Sequence, residues 1–243
     1  MKKPSICVMA FCTALSMFAS MVNAETANPN QQPFDKAKNI IFFVGDGMGV
    51  STVTASRIYS VGVDGKLTMD KFPFTALSKT YTTDHITPDS AGTMTAMMTE
   101  VNTNQGLIGF GPETERDDFQ ADGDGEPLVT FLEIAKEMGK KVGVVSTTRV
   151  THATPAACYA HVNDRDKEND IALQALPTDA GYNQRLGEGI DVLMGGGREF
   201  FTPAGVTDEE GEMGNRPEGR DLRKRSFRMP AIPTYGTRIN SIR

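Results

Sequence analysis

The sequence predicts an α/β protein built around a largely parallel sheet. Three short apolar runs, each running into glycine or a turn, read as buried strands, and segments with helical spacing alternate with them. The chain is 243 residues long, enough for one domain with a substantial core. No internal repeat is present.

The elements follow in order. Residues 1–24 read as a secretory signal peptide. Lys2 and Lys3 start it, Ile6 to Met21 is mostly apolar, and Val22-Asn23-Ala24 offers a small-residue cleavage site. The run is short for a membrane anchor and is interrupted by Thr13 and Ser16. Phe11 is too bulky for a lipid-attachment site at Cys12. The expectation is a periplasmic or secreted protein, with no later segment apolar for long enough to span a bilayer. Residues 25–37 are polar and proline-containing, a flexible leader. Asn39 to Val44 is a continuous apolar run ending at Gly45, the pattern of a strand buried on both faces. Residues 50–60 follow as a helix. Ser90 to Glu100 has few breakers and reads as another.

Asp122-Gly123-Asp124-Gly125 marks a turn. Pro127 then opens a helix with Leu128, Phe131, Leu132, Ala135 and Met138 at helical spacing, and Gly139 ends it. Val142 to Ser146 is a second buried strand. Asp191 to Met194 is a third, closed by Gly195-Gly196-Gly197. Thr154 and Pro155 suit the cap and first turn of a helix between them.

Charge and cysteine usage narrow the function. Net charge is −6, and loss of Lys2 and Lys3 with the signal makes it −8, which argues against non-specific nucleic-acid binding. Cys7 and Cys12 leave with the signal, so Cys158 stands alone and reads as a small buried apolar residue. Residues 223–243 carry six Lys/Arg and no Asp/Glu, whereas residues 25–222 carry a net charge of −14. Such a tail reads either as a basic disordered segment or as the product of a reading-frame shift near Leu222.

Three segments carry chemistry. Gly45-Asp46-Gly47-Met48-Gly49 lies just past the first predicted strand, where open α/β sheets bind ligands. A carboxylate flanked by glycines suits a hard or borderline cation. A dinucleotide loop would need Gly or Ala where Val50 stands. Thr87-Pro88-Asp89-Ser90-Ala91-Gly92 puts a serine at a helix start, where free N–H groups favour an oxyanion or phosphate. The bland alternative is that Asp89 or Ser90 simply caps the helix. The acyl-hydrolase elbow G-x-S-x-G lacks its first glycine here. Thr151-His152-Ala153-Thr154 offers ligand atoms after the second strand, and Arg165 offers a guanidinium fork for phosphate oxygens. Together, Asp46, Ser90, His152, Thr154 and Arg165 suggest metal-assisted phosphoryl transfer.

At this point the chain resembles the bacterial alkaline phosphatases. The resemblance rests on NIIFFVGDGMGVS (39–51), TDHITPDSAGTMTA (83–96), NTNQGLIG (102–109), VGVVSTTRVTHATPAACYAHVNDR (142–165) and DVLMGGGREFF (191–201), in the family's order and spacing. It covers residues 38–222, the N-terminal part of the family's domain. It implies a three-layer α/β/α sandwich, incomplete in this chain, and hydrolysis of small phosphate monoesters at a site with two zinc ions and one magnesium ion. Ser90 matches the nucleophile that becomes phosphoserine and also contacts zinc. Asp46 matches the aspartate bridging a zinc and the magnesium. Thr154 matches a magnesium ligand, and His152 stands near the magnesium where members carry Asp or His. Arg165 matches the arginine that clamps the substrate phosphate, and Asp89 the residue that orients it. Ser90 as a sulfatase-type nucleophile is disfavoured by the Asp-Ser-Ala-Gly element.

The resemblance also shows a departure. Family members place further aspartates, a magnesium-binding glutamate and three histidines in the second half. The histidines here are His85, His152 and His161, and none matches those three. The match fades near Gly219 to Leu222, where the composition turns basic. Two readings follow: a periplasmic phosphomonoesterase, commonly a homodimer in this family, or a truncated or frameshifted non-catalytic fragment of one.

Overall fold

A computed structural model describes residues 37–118, 125–177 and 179–224. The signal peptide, most of the leader, the turn at 122–124 and most of the basic tail lie outside these residues. The chain divides into two units, residues 1–45 and 46–243. In the first, the run at 39–44 forms no strand, contrary to the sequence expectation, and Ile40, Ile41 and Phe43 are exposed. An apolar run supplies side chains for a sheet but no hydrogen-bonding partner, and a strand exists only when paired.

The second unit holds the rest. Helix α1 spans Val50–Val61 and closes at Gly62, with no buried residue. Helix α2 spans Ser90–Thr99, helix α3 Phe131–Glu137, strand β1 Gly143–Arg149, helix α4 Ala153–Ala156, helix α5 Glu168–Gln174 and strand β2 Val192–Gly196. β1 and β2 pair in parallel, with Val144 opposite Leu193 and Val145 opposite Met194. A parallel pair needs a long crossover, and α4 and α5 lie within it.

The register fixes which face is covered. Val144 is buried and Leu193 packs beside it against the core, whereas Val145 on the opposite face is 71% exposed. The sequence expectation of strands buried on both faces is therefore corrected. Among the described residues one face is covered, and Val145, Met194 and Val192 remain open. The covered face meets Ala91, Met94 and Met98 of α2, Ala153 and Ala156 of α4, and Ile171 of α5. The short alanine side chains let α4 lie close to α2 and β1.

Two helix boundaries differ from the sequence reading. α3 begins at Phe131 rather than Pro127, because Thr130 and Glu133 form a reciprocal cap. The Thr130 hydroxyl accepts from the Glu133 N–H at 3.2 Å, and Glu133 accepts from the Thr130 N–H at 2.7 Å. Glu133 is fully buried, where His161 and Asn183 also satisfy its carboxylate. Burial pushes its carboxyl up, but the hydrogen bonds from His161, Asn183 and the Thr130 N–H outweigh this and hold it below the ordinary range. α4 begins at Ala153 with His152 as its cap, so Thr154 sits inside the first turn and does not cap it. Cys158 is buried as expected, and burial pushes its thiol up to about 12. Among the described residues no helix is long and apolar enough to cross a membrane.

Asp191 locks the start of the sheet. Its carboxylate accepts from the Val142 N–H at 3.0 Å and pairs with Lys136 at 3.2 Å and Lys141 at 2.8 Å. Burial raises its pKa, but those three donors outweigh burial and leave it at about 2. A depressed carboxyl contributes stability that is present above its unfolded value and lost as pH falls through the folded one. Asp191→Asn is expected to cost about 1–2 kcal/mol at pH 7. It should also flatten the stability loss between about pH 4 and pH 2, as read by urea unfolding across that range.

Candidate active site

The site grows from the start of α2. Asp89 is extended at the N-cap, and its Oδ1 accepts from the Gly92 N–H at 3.1 Å. Ser90 is then the first helical residue, with its hydroxyl beside the capping carboxylate in the chain. Among the described residues Ser90 Oγ has no hydrogen-bond partner and remains available. Gly92 is required by close packing: a Cβ there would lie 2.5 Å from Thr82 Cγ2 and 3.0 Å from the Asn104 carbonyl. The Asp-Ser-Ala-Gly element therefore combines a cap, a free hydroxyl and a contact point.

The other carboxylate oxygen of Asp89 turns toward the loops. Oδ2 accepts from the Gly106 N–H at 3.1 Å and from Arg165 Nη1 at 2.9 Å. The Arg165 backbone N–H donates to the Gly106 carbonyl at 2.8 Å, so both ends of this arginine are tied to the same loop. Arg165 Nη2 lies 3.1 Å from His152 Nε2. A guanidinium only donates, so Nε2 accepts and the imidazole proton sits on Nδ1. Nδ1 is buried without a partner among the described residues. Burial, and then the charges of Arg165 and Arg149, hold His152 below the ordinary imidazole value, which keeps the acceptor form at neutral pH.

Two residues further on, the Thr154 hydroxyl donates to Asp46 Oδ2 at 2.9 Å. Three hydrogen bonds, Thr154 to Asp46, Arg165 to His152 and Arg165 to Asp89, together with the chain links from Thr154 to His152 and from Asp89 to Ser90, thus form one line. All six residues singled out in the sequence lie on it. Asp46 belongs to the turn before α1, Thr154 to α4, and Asp89 and Ser90 to α2.

Further supporting residues were not apparent from the sequence. Gly106 supplies both backbone contacts above, with φ +87°. Arg116 lies across it and donates to Asp164 and Asp166, the neighbours of Arg165, at 3.0 Å each. Glu168 accepts two short bonds from Arg149, at 2.9 and 2.6 Å, and one from Thr151 at 2.6 Å. The glycine in Asn-Gln-Gly hinted at a turn. The arginine–carboxylate pairs left no linear signal, because their partners lie 19 to 50 residues apart.

The donor set bears on metals. Asp46 and Thr154 offer hard oxygen atoms in mutual contact, a pair that fits a magnesium ion completed by water, and the buried Nδ1–H of the neighbouring His152 has no partner among the described residues and is a donor, not a ligand. Two zinc sites do not fit. Among the described residues no three His, Cys, Asp or Glu side chains cluster as metal ligands. His161 is held by Glu133 and the Gly109 carbonyl, and His85 pairs with Asp84.

Comparison with known proteins identifies the family. Residues 37–231 match the family description "Alkaline phosphatase", and the chain belongs to that family. Tissue-nonspecific alkaline phosphatase from Rattus norvegicus is 47% identical over 203 residues, 76% of this chain and 38% of the relative. Alkaline phosphatase from Gadus morhua is 43% identical over 220 residues, 84% of this chain and 45% of the relative. The chain thus spans less than half the length of either. The solved alkaline phosphatase of the Antarctic bacterium TAB5 superposes with a TM-score of 0.51 at 28% identity, over 69% of this chain and 41% of that one. The architecture is accordingly an incomplete α/β fold of the alkaline phosphatase type.

Asp89 is the residue whose loss the site should feel most in stability. Asp89→Ala is expected to cost about 2–3 kcal/mol, combining a lost cap with unpaired Gly106 and Arg165 donors. Asp89→Asn, which keeps an acceptor for Gly92, should cost about half of that in urea unfolding.

Proposed function

We propose that this chain carries the nucleophile and phosphate clamp of a phosphomonoesterase, acting through a phosphoserine at Ser90. The observation that carries the reading is the state of Arg165. One N–H goes to Asp89 and one NH2 group faces His152, which leaves three of its five N–H donors for a ligand. A guanidinium held flat on two sides, next to a helix N-terminus with a free serine hydroxyl, matches a tetrahedral dianion. Arg165 binds two phosphate oxygens and fixes the phosphorus. Asp89 and His152 hold the guanidinium in orientation. Ser90 Oγ attacks phosphorus in line as the P–O bond to the alcohol breaks, the serine proton passes through solvent to the departing alcohol, and the free N–H groups of the first turn of α2 take up charge on the equatorial oxygens. Water then hydrolyses the phosphoserine, which restores Ser90.

Magnesium, held by Asp46 and Thr154 with His152 adjoining, would supply positive charge beside the phosphate. A variant of the TAB5 enzyme with aspartate in place of one histidine has Mg bound in its M3 site, which supports a magnesium site in a structural relative of this chain. The two zinc ions implied by the resemblance find no ligand set among the described residues, so no step is assigned to them. Small phosphate monoesters are the substrate class, because the described groups grip phosphate and no other part of an ester. Homodimer formation and export by the segment at 1–24 complete the proposal.

A second reading is favoured by the missing zinc ligands: a phosphate- and magnesium-binding chain without turnover. The two part on p-nitrophenyl phosphate in the presence of Mg²⁺ and Zn²⁺. Release of p-nitrophenol that disappears in Ser90→Ala, with phosphoserine at position 90 in acid-quenched peptides, is the result expected of the enzyme. Phosphate binding with neither signal assigns the second reading. Under both, Arg165→Ala should weaken inorganic phosphate binding by roughly tenfold or more, about 1.5–3 kcal/mol, measured by calorimetry.

A further inference from the structure

We infer that Glu168 is a positioning residue for the magnesium-binding loop, an assignment that rests on the metal role given above to Asp46 and Thr154. The loop from Arg149 to Thr154 leaves β1 and carries His152 and Thr154. Its backbone is pinned at one point on each side: the Val150 N–H donates to the Gly196 carbonyl of β2 at 3.0 Å, and the buried Tyr159 hydroxyl donates to the Val150 carbonyl at 2.9 Å. Neither contact reaches past Val150. The residues on either side of Val150 are held by Glu168 from the first turn of α5. Its carboxylate takes both Arg149 Nε and Nη2, and takes the hydroxyl of Thr151, which is fully buried.

Thr151 is the residue immediately before His152. Its side chain is closed off from water and its hydroxyl meets Glu168 at 2.6 Å, so the direction in which the chain enters α4 is set there. Arg149 is further fixed by the Phe200 ring, 6.0 Å from its guanidinium carbon. Glu168 lies at the start of α5, where an acidic side chain is also favoured by the helix end. The carboxylate therefore couples α5 to the turn that presents His152 and Thr154, without touching either residue itself. Partners behind metal ligands commonly govern affinity by ten- to a hundredfold.

The test is Mg²⁺ affinity, read by calorimetry on the full chain together with the urea midpoint. Glu168→Gln keeps the shape and an acceptor for Thr151 but loses the ion pair with Arg149, and should weaken Mg²⁺ about tenfold with a near-unchanged midpoint. Thr151→Ser, which keeps the hydroxyl, should bind Mg²⁺ as the parent does. Asp191→Asn, remote from the loop, reports what plain destabilisation does to affinity. The inference is overturned when Glu168→Gln binds Mg²⁺ as tightly as the parent, or when Asp191→Asn weakens it equally. Absence of Mg²⁺ binding by the parent, or binding indifferent to Asp46→Ala, overturns the metal assignment instead and takes the role of Glu168 with it.

Discussion

The carboxylate of Asp89 is the junction on which this site depends. Four things meet there: the N-terminus of α2, the loop at Gly106, the guanidinium of Arg165 and, next in the chain, the hydroxyl of Ser90. Hydrogen bonds to a charged group contribute about 1.5–3 kcal/mol each. Asp89 collects three, and its side chain is largely shielded from water. A neutral acceptor would satisfy the helix but would leave Arg165 without a counter-charge. An acidic residue one position away would satisfy neither, because the cap geometry fixes which carboxylate oxygen points along the helix and which points across to the loop.

The surrounding fold makes that junction stiff. α2 lies close to α4 because the contact is built from Ala91, Ala153 and Ala156, and it approaches Thr82 and Asn104 because Gly92 has no side chain. The loops carrying Arg165 and His152 are tied down from outside by arginine–carboxylate pairs, Arg116 with Asp164 and Asp166, and Arg149 with Glu168. Exposed pairs of this type contribute little to global stability. Their effect is local: each removes freedom from a residue adjacent to a functional side chain, which lowers the ordering cost when a ligand arrives.

How much of this could be read from the sequence varied with the range of the interaction. Asp89 and Ser90 were legible because cap and first helical residue are neighbours in the chain, whereas the packing role of Gly92 depends on Thr82 and Asn104. Asp89 caps α2 with one carboxylate oxygen and pairs with Arg165 through the other. The helix after Pro127 was found, but its start was misplaced, since the Thr130–Glu133 cap outweighs proline's preference for the first turn. Thr154 looked like a cap, yet the chain caps α4 with His152 and spends the threonine hydroxyl on Asp46. The run at 39–44 had the composition of a strand, but pairing is a property of two segments and composition reports only one. Glu168 and Arg116 were invisible, because a charge run in a sequence looks the same whether or not it meets a partner far along the chain.

The open sheet face and the sparse ligand set among the described residues share one physical root. A sheet covered on one face, with Val145 and Met194 open, lacks the packing that would complete an α/β layer. Among the described residues no cluster of three His, Cys, Asp or Glu side chains stands beside Ser90 and Arg165. A sheet cover and a ligand cluster are both assembled from segments far apart in a chain, and this chain matches less than half the length of the two relatives named above. The parts that are present are those a short stretch of chain can build by itself: a cap, a turn and a guanidinium held between a carboxylate and an imidazole. In the proposed reaction phosphate recognition is therefore expected to be separable from turnover, because recognition needs only Arg165 and its contacts with Asp89 and His152, whereas ionising Ser90 needs positive charge beyond that of Arg165, whose guanidinium is already paired with Asp89.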